Sequence, residues 1–292
     1  MATLLIANPW ASSVDEDRLI RVRAVLPAGT ELRLTSVRGE ATELAREMAG
    51  RVDALYVFGG DGTYNEVLNG IDARTPVGFI PGGGASVLPR ALGISRQPVA
   101  AARQLAQDAR PRQISLGRVN GHRFGFACGI GIDAEVVRAV DELGRRADGR
   151  RPGNLTFAWT GARELWRRGF QLDPVLEVAG LGRAAFVLVS NSPAYTFAGP
   201  VRVQPTRAAS FEGGLDLVAP TRLRGRDLPR IAVLALGGGD PARMQHLLYA
   251  HDADRLEIVC DRPLPLQADG EDLGDVERAV FEADREAVTV LV

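Results

Sequence analysis

Ala54-Leu55-Tyr56-Val57-Phe58-Gly59-Gly60-Asp61-Gly62-Thr63-Tyr64-Asn65-Glu66 decides the fold. Its first five residues are an unbroken apolar run, the mark of a strand buried on both faces. The run stops in paired glycines, and a helix is predicted from Asn65 to Leu68. Glycines at a strand-to-helix turn let the backbone bend sharply and approach a ligand closely. The helix start behind them offers free amides and the positive end of a dipole to a phosphate. Asp61 is the discordant residue, since a carboxylate beside a phosphate is repelled unless a proton or a divalent cation intervenes. A magnesium-bound nucleotide resolves that conflict. An ordinary Asp-Gly turn is the competing reading; six specified residues behind a buried strand favour phosphate binding.

The same rhythm continues on both sides. Strands are expected at Leu4–Ala7, Glu31–Thr35 and Val77–Ile80. Ser13-Val14-Asp15-Glu16 reads as a capping box opening a helix toward Leu26, and residues 39–48 suit a second helix. A second glycine turn, Pro81-Gly82-Gly83-Gly84-Ala85-Ser86, follows the fourth strand. Repeated strand–turn–helix units imply a doubly wound, mainly parallel α/β domain over residues 1–115. Ligands of such sheets sit beyond the carboxyl ends of the strands, where both glycine turns could flank one nucleotide.

After Pro111 the texture changes. Gln113–Val119 and Arg123–Cys128 read as strands joined by an Asn120-Gly121 hairpin. Helices are expected near Glu135–Leu143 and Leu155–Arg168. Strands are expected at Val175–Ala179, Ala184–Ser190, Leu215–Val218, Leu256–Cys260 and Leu264–Ala268. This gives a β-rich, sandwich-like second domain over residues 116–281, with residues 282–292, which include the apolar run Ala287–Val292, returning to the first. Residues 148–153 are the most loop-like basic stretch.

Composition excludes several chemistries. The chain has 292 residues, 46% hydrophobic and 24% charged, with net charge −1, and all 35 basic residues are arginine. Without lysine there is no Schiff base, no pyridoxal-phosphate anchor and no Walker A cation. Arginine binds phosphate but is a poor general base. Three histidines and two cysteines, at no recognised spacing, argue against a zinc site or a disulfide framework. Near-neutral charge argues against a nucleic-acid partner. No apolar run approaches the ~18 residues of a membrane-spanning helix, and no leader segment is evident, so a cytoplasmic location is expected.

Gly59-Gly60-Asp61-Gly62-Thr63 with Asn65-Glu66 resembles the nucleotide motif of diacylglycerol kinase catalytic domains, relatives of sphingosine kinases and, more distantly, NAD kinases. Asn8-Pro9 resembles the family's opening motif, and Thr35 a threonine ending its second strand. Gly129-Ile130-Gly131-Ile132-Asp133-Ala134, the stretch from Asn191-Ser192 through Gly199 and Pro205 to Gly213–Asp216, and Gln267-Ala268-Asp269-Gly270-Glu271 resemble later segments. The resemblance implies phosphorylation of a lipid hydroxyl by ATP with Mg2+, in a cleft between the two domains. Asp61 would organise magnesium and phosphates. Asp269 or Glu271 would accept the hydroxyl proton. Asn8, Thr35, Gly59, Gly60, Gly62, Thr63, Asn65, Glu66, Gly83, Gly84, Ser86 and Arg90 would surround the nucleotide. Glu212 and Asp216 would match an acidic pair holding a structural magnesium, with Glu212 in place of the usual aspartate. The expected partner is a lipid at the inner face of a membrane; a homodimer is left open.

One departure matters. The family's second turn usually reads Gly-Thr-x-Asn-Asp; here threonine is Gly84, asparagine Ser86 and the second aspartate Val87. Two alternatives follow: kinase action on a soluble alcohol such as NAD, or a non-catalytic nucleotide- or lipid-binding module. Phe124, Phe126, Phe157, Trp159, Tyr195 and Phe197 could line an acyl pocket, but core packing is the stronger expectation. Arg145-Arg146 and Arg150-Arg151 could meet an anionic membrane, with a solvated loop as the stronger expectation. His246 and His251 read as structural or exposed, and Cys128 as an inert core thiol.

Overall fold

The computed structural model describes residues 2–144 and 154–292, with the side chains of 154, 155 and 158 left out of the description. The two basic pairs at 145–146 and 150–151, and the loop-like stretch 148–153, lie outside the described residues. The chain divides into two compact units, one of residues 2–116 with 285–292, the other of residues 117–144 with 154–284.

The first unit runs β1 (Thr3–Ala7), α1 (Glu16–Val25), β2 (Glu31–Leu34), α2 (Glu40–Met48), β3 (Ala54–Gly59), α3 (Asp61–Leu68), β4 (Val77–Pro81), α4 (Val87–Ala91) and α5 (Pro98–Gln107). β2, β1, β3 and β4 lie side by side, all parallel, and the C-terminal strand adds beside β4 through Val290 against Val77. β1, β3 and β4 are buried almost throughout, which is why they read as continuous apolar runs. The chain leaves β1 for β2 on one side and then crosses to β3 on the other. The carboxyl ends of β1 and β3 therefore flank the topological switch point, where open α/β sheets bind ligands. α1 packs on α5, and α2 on α3.

Two helix starts differ from expectation. Asp15, not Ser13, caps α1, its Oδ1 accepting the Arg18 amide at 2.8 Å; Ser13 instead gives its amide to the Gly82 carbonyl. α3 begins at Asp61, inside the glycine motif, four residues before the predicted start.

β5 (Pro111–Val119) begins in the first unit and ends in the second, which continues with β6 (His122–Phe124), β7 (Ala127–Ile130), α6 (Ile132–Glu142), α7 (Asn154–Arg167), β8 (Gln171–Leu172), β9 (Leu176–Val178) and β10 (Gly182–Ala184). Then come β11 (Val187–Ser190), β12 (Thr196–Ala198), β13 (Val201–Val203), β14 (Leu215–Pro220), β15 (Leu223–Arg224), α8 (Leu228–Ala235), β16 (Leu247–Ala253), β17 (Arg255–Ala268) and β18 (Glu271–Leu291). β16, β14, β11, β7, β17 and β18 pair in that order, antiparallel throughout the unit. β17 pairs with β9 through residues 258–260 and with β7 through residues 266–268, so one strand serves two neighbours over a shared core. That core includes Phe124, Cys128, Ile130, Val189, Leu217 and Phe281, and Phe124 meets Phe281 edge to face at 6.3 Å.

The Asn120-Gly121 hairpin is present, with both residues at positive φ as a primed turn requires. The strand expected after it breaks at Gly125-Phe126, and β7 leaves for other partners. The strand expected at 184–190 likewise divides between β10 and β11. The two expected at 256–260 and 264–268 are one, β17.

Candidate functional site

The first unit's site grows from contact between the two glycine turns. A Cβ on Gly83 would lie 2.8 Å from Gly60 Cα, and one on Gly82 would lie 2.9 Å from the Gly59 carbonyl. A Cβ on Gly59 would meet the Thr63 side chain at 2.8 Å. These glycines are needed so that β3, β4 and their turns can close on each other. The Gly82 amide donates to the Gly59 carbonyl at 2.7 Å, and the buried Tyr64 hydroxyl lies 2.6 Å from the same carbonyl and 2.8 Å from that of Ile80. Gly84 differs, because a Cβ there meets nothing within 4 Å. That open side belongs to a cavity of about 270 Å³ whose lining includes Ser13, Arg18, Gly84, Ser86, Arg90 and Arg96.

Asp61 joins the turns. Its Oδ1 accepts the amides of Val87 at 2.7 Å and Leu88 at 3.4 Å, the first two of α4. Ser86, the residue before α4, adopts a left-handed conformation (φ 45°) and donates its hydroxyl to the Gly83 carbonyl at 3.0 Å, so the cap comes from across the turn. Val87 is buried where a second aspartate was expected. Arg90 reaches back to the Ala85 carbonyl at 3.4 Å. Burial, then repulsion from Arg96, loosens its proton against the pull of Asp61; a guanidinium stays charged throughout.

Asn8, at the end of β1, donates Nδ2 to Thr63 Oγ1 at 2.9 Å, tying the two sides of the switch point. Thr35 is buried at the end of β2, its amide on the Ala7 carbonyl. Asn65 is buried in α3, with Oδ1 3.2 Å from Asn69 Nδ2. Glu66 does not join the turn cluster: its Oε2 accepts the Ala41 amide in the first turn of α2. An acid one turn into α3 thus faces the start of the neighbouring helix.

In the second unit Asp269 is buried at positive φ, just before Gly270. Its carboxylate takes the Gly125 amide on Oδ2 at 2.6 Å, and those of Phe126 and Ala127 on Oδ1 at 2.9 and 3.1 Å. This explains the strand break after β6, since amides aimed at one carboxylate cannot also serve a ladder. Glu271, two residues on, is partly exposed at the start of β18.

Gln267 braces this turn. Its Oε1 accepts the Gly270 amide at 2.9 Å, and its Nε2 lies 2.7 Å from Asp133 Oδ2 and 3.0 Å from the Tyr195 hydroxyl. Tyr195 also donates to Asp133 at 2.6 Å. Burial raises the Asp133 carboxyl above its usual range, against both hydrogen bonds. The sequence showed Asp133 and Gln267 only as members of longer segments; no spacing signals a bond between residues 134 apart. Cys128 lies in the core, where burial above all pushes its thiol up, as an inert cysteine should behave.

Glu212 and Asp216, the expected acidic pair, differ in their surroundings. Glu212 is exposed, while Asp216 is buried, its Oδ1 lying 2.8 Å from His251 Nδ1 and accepting the Asp252 amide at 3.1 Å. Among the described residues no three His, Cys, Asp or Glu side chains gather as a metal would need. Burial raises the Asp216 carboxyl, and the imidazole partner works against that shift. Of the aromatic set, Phe124, Phe126 and Phe197 are core; Trp159 is 64% exposed, against expectation. No helix among the described residues is long and apolar enough to cross a membrane.

Residues 2–119 match the diacylglycerol kinase catalytic domain. A diacylglycerol kinase of Bacillus subtilis (strain 168) is 29% identical over 254 residues, 83% of this chain and 79% of that protein. A solved diacylglycerol kinase from Bacillus anthracis superposes with a TM-score of 0.72 at 20% identity, over 99% of this chain and 96% of its own. An NAD kinase from Archaeoglobus fulgidus, solved with ATP, gives a TM-score of 0.50 at 10% identity, over 99% and 92%. At those identities the two structures speak for the fold. Residues 2–119 are thus similar to the diacylglycerol kinase catalytic domain, and most of the chain is similar to a bacterial diacylglycerol kinase.

Proposed function

We propose that this chain is an ATP-dependent lipid kinase that phosphorylates the hydroxyl of diacylglycerol or a related lipid, acting from the cytoplasmic face of a membrane. One observation carries the nucleotide half of this reading: two glycine turns closed on each other beside a sheet switch point, with Asp61 bridging them and an arginine-lined cavity open at Gly84. Amides of the turns and of the start of α3 suit phosphate oxygens. Arg90 is the first side-chain cation for the transferring group, since no lysine exists.

Magnesium fits this edge only as a passenger of the triphosphate. The chain offers Asp61 there, Val87 stands where a second carboxylate would be, and magnesium is commonly held by one or two carboxylates plus substrate phosphates. Bound so, it would neutralise charge on the phosphates. Asp269, with three amides on its carboxylate, serves to hold the loop at Gly125–Ala127. Glu271 is then the base. It takes the lipid hydroxyl proton as that oxygen bonds to the γ-phosphorus, the bond to the bridging β–γ oxygen breaks, and ADP leaves.

The absence of a carboxylate at position 87 favours a second reading, a nucleotide- and lipid-binding module without transfer. Purified protein with labelled ATP and a panel of lipid micelles separates the two. The kinase reading expects label in a lipid product, lost in Glu271→Gln. Tight ATP binding by calorimetry with no labelled product selects the binding module. Label in NAD without micelles selects the soluble-alcohol kinase.

A further inference from the structure

All three tryptophans of this chain are exposed: Trp10 at 65%, Trp159 at 64% and Trp166 at 70%. Tryptophan is highly buried on average, so two of them seven residues apart on α7 call for a reason. Positions 159, 162, 163 and 166 share one side of a 3.6-residue helix. Trp159, Ala162, Arg163 and Trp166 are all exposed there, with Arg167 at the margin. The opposite side is the packed one: Thr160 is buried, Leu165 packs on the apolar cluster of Leu172, Phe186 and Leu223, and α7 lies against α6. An amphipathic helix that already buries one side normally shows a polar face to water. This outer face instead carries two indoles with basic residues between and beside them. The Arg163 guanidinium sits 5.7 Å from the Trp159 ring centre. The nearest acid on the helix, Glu164, is turned inward and pairs with Arg167 at 3.4 Å.

We infer that this face of α7 docks the protein on an anionic bilayer, the indoles entering the headgroup region and Arg163 and Arg167 meeting lipid phosphates. Indoles settle at the membrane–water boundary, and cations near an anionic leaflet are drawn to it. Together they give the apolar contact and charge attraction of a helix lying in the interface. The inference rests on the lipid-kinase reading to the extent that a diacylglycerol substrate stays in the bilayer, so its enzyme must come to it.

The test uses the full chain in a Trp10→Phe background. Binding to vesicles of phosphatidylcholine alone and of an equimolar phosphatidylcholine–phosphatidylglycerol mixture is followed by sedimentation and by indole fluorescence. The expected result is binding to the anionic vesicles with a blue shift. The Trp159→Ala/Trp166→Ala variant should bind at least about tenfold more weakly, with an unchanged melting temperature because these rings are exposed. Arg163→Gln/Arg167→Gln should lose about fivefold per arginine and most of the preference for anionic lipid. Turnover of a short-chain diacylglycerol dissolved below its micelle limit should be unchanged in both variants. Vesicle binding as strong in the tryptophan variant as in its parent overturns the inference. So does a dimer that the tryptophan variant splits by sedimentation velocity, which would mean that a second copy covers the face. If the parent docks as expected but phosphorylates no lipid, the docking surface stands and the kinase reading falls.

Discussion

Replacing Gly83 with alanine puts a methyl carbon 2.8 Å from Gly60 Cα. That is roughly 1 Å inside the optimal carbon–carbon separation. Both atoms belong to backbone held by the Gly82–Gly59 hydrogen bond and by Tyr64, so no flexible side chain can yield. Overpacking of this kind costs about 1–3 kcal/mol. Gly84, the next residue, is the control: its added carbon meets nothing within 4 Å and its φ is not positive. Gly84→Ala should be neutral or stabilise by about 0.4–1 kcal/mol through the unfolded chain. Urea unfolding should therefore separate the two alanine variants by a midpoint difference on the order of 1 M. Calorimetry should show ATP affinity falling at least about tenfold in Gly83→Ala alone, since spreading the turns misplaces amides that only short hydrogen bonds can use. Identical unfolding and ATP binding in the two variants would refute the claim that turn-on-turn contact, and not bare flexibility, is what these glycines supply.

Asp61→Asn keeps an oxygen for the Val87 and Leu88 amides, so stability should change by less than about 1 kcal/mol while phosphoryl transfer collapses; Asp61→Ala should lose the cap as well, about another 1 kcal/mol in unfolding experiments. Gln267→Leu removes the brace of the Asp269-Gly270-Glu271 turn and leaves Asp133 short of a donor; about 2–3 kcal/mol of stability should go, with kcat falling more than KM rises. Arg138 grips Asp272 through two bonds, at 2.8 and 3.0 Å, and also reaches Asp275 at 2.6 Å. The Asp272 carboxyl is lowered first by those bonds, so its stabilisation is present above the unfolded value near about pH 4 and is lost as pH falls through the lower folded value. Arg138→Met should be less stable than the parent by about 1 kcal/mol at pH 7, and the difference should vanish in the acid limb of a stability–pH curve.

The parallel unit was legible because its strands are buried on both faces, and an unbroken run such as Leu55–Phe58 has few other homes. Glycine turns after two such runs also located the candidate site. Longer-range pairing was not legible. Nothing local says that amides of residues 125–127 turn to a carboxylate at 269 and so split an expected strand, or that Glu66 faces α2. The acidic pair at 212 and 216 was read by resemblance; nothing local says that His251, 35 residues beyond Asp216, lies against that carboxylate. Trp159 was expected in the core because aromatic residues usually go there. Its partner at the helical repeat, Trp166, was the available signal that both lie on one side of the helix.

The most direct test of the central claim is transfer of labelled phosphate from ATP to a lipid by the purified chain, with Asp61→Asn and Glu271→Gln beside it. The expected result is a phosphorylated lipid from the wild-type chain and loss of at least about a hundredfold in each variant, the scale of a catalytic base or a charge-organising group. No product from any lipid, or equal product from all three proteins, would contradict it.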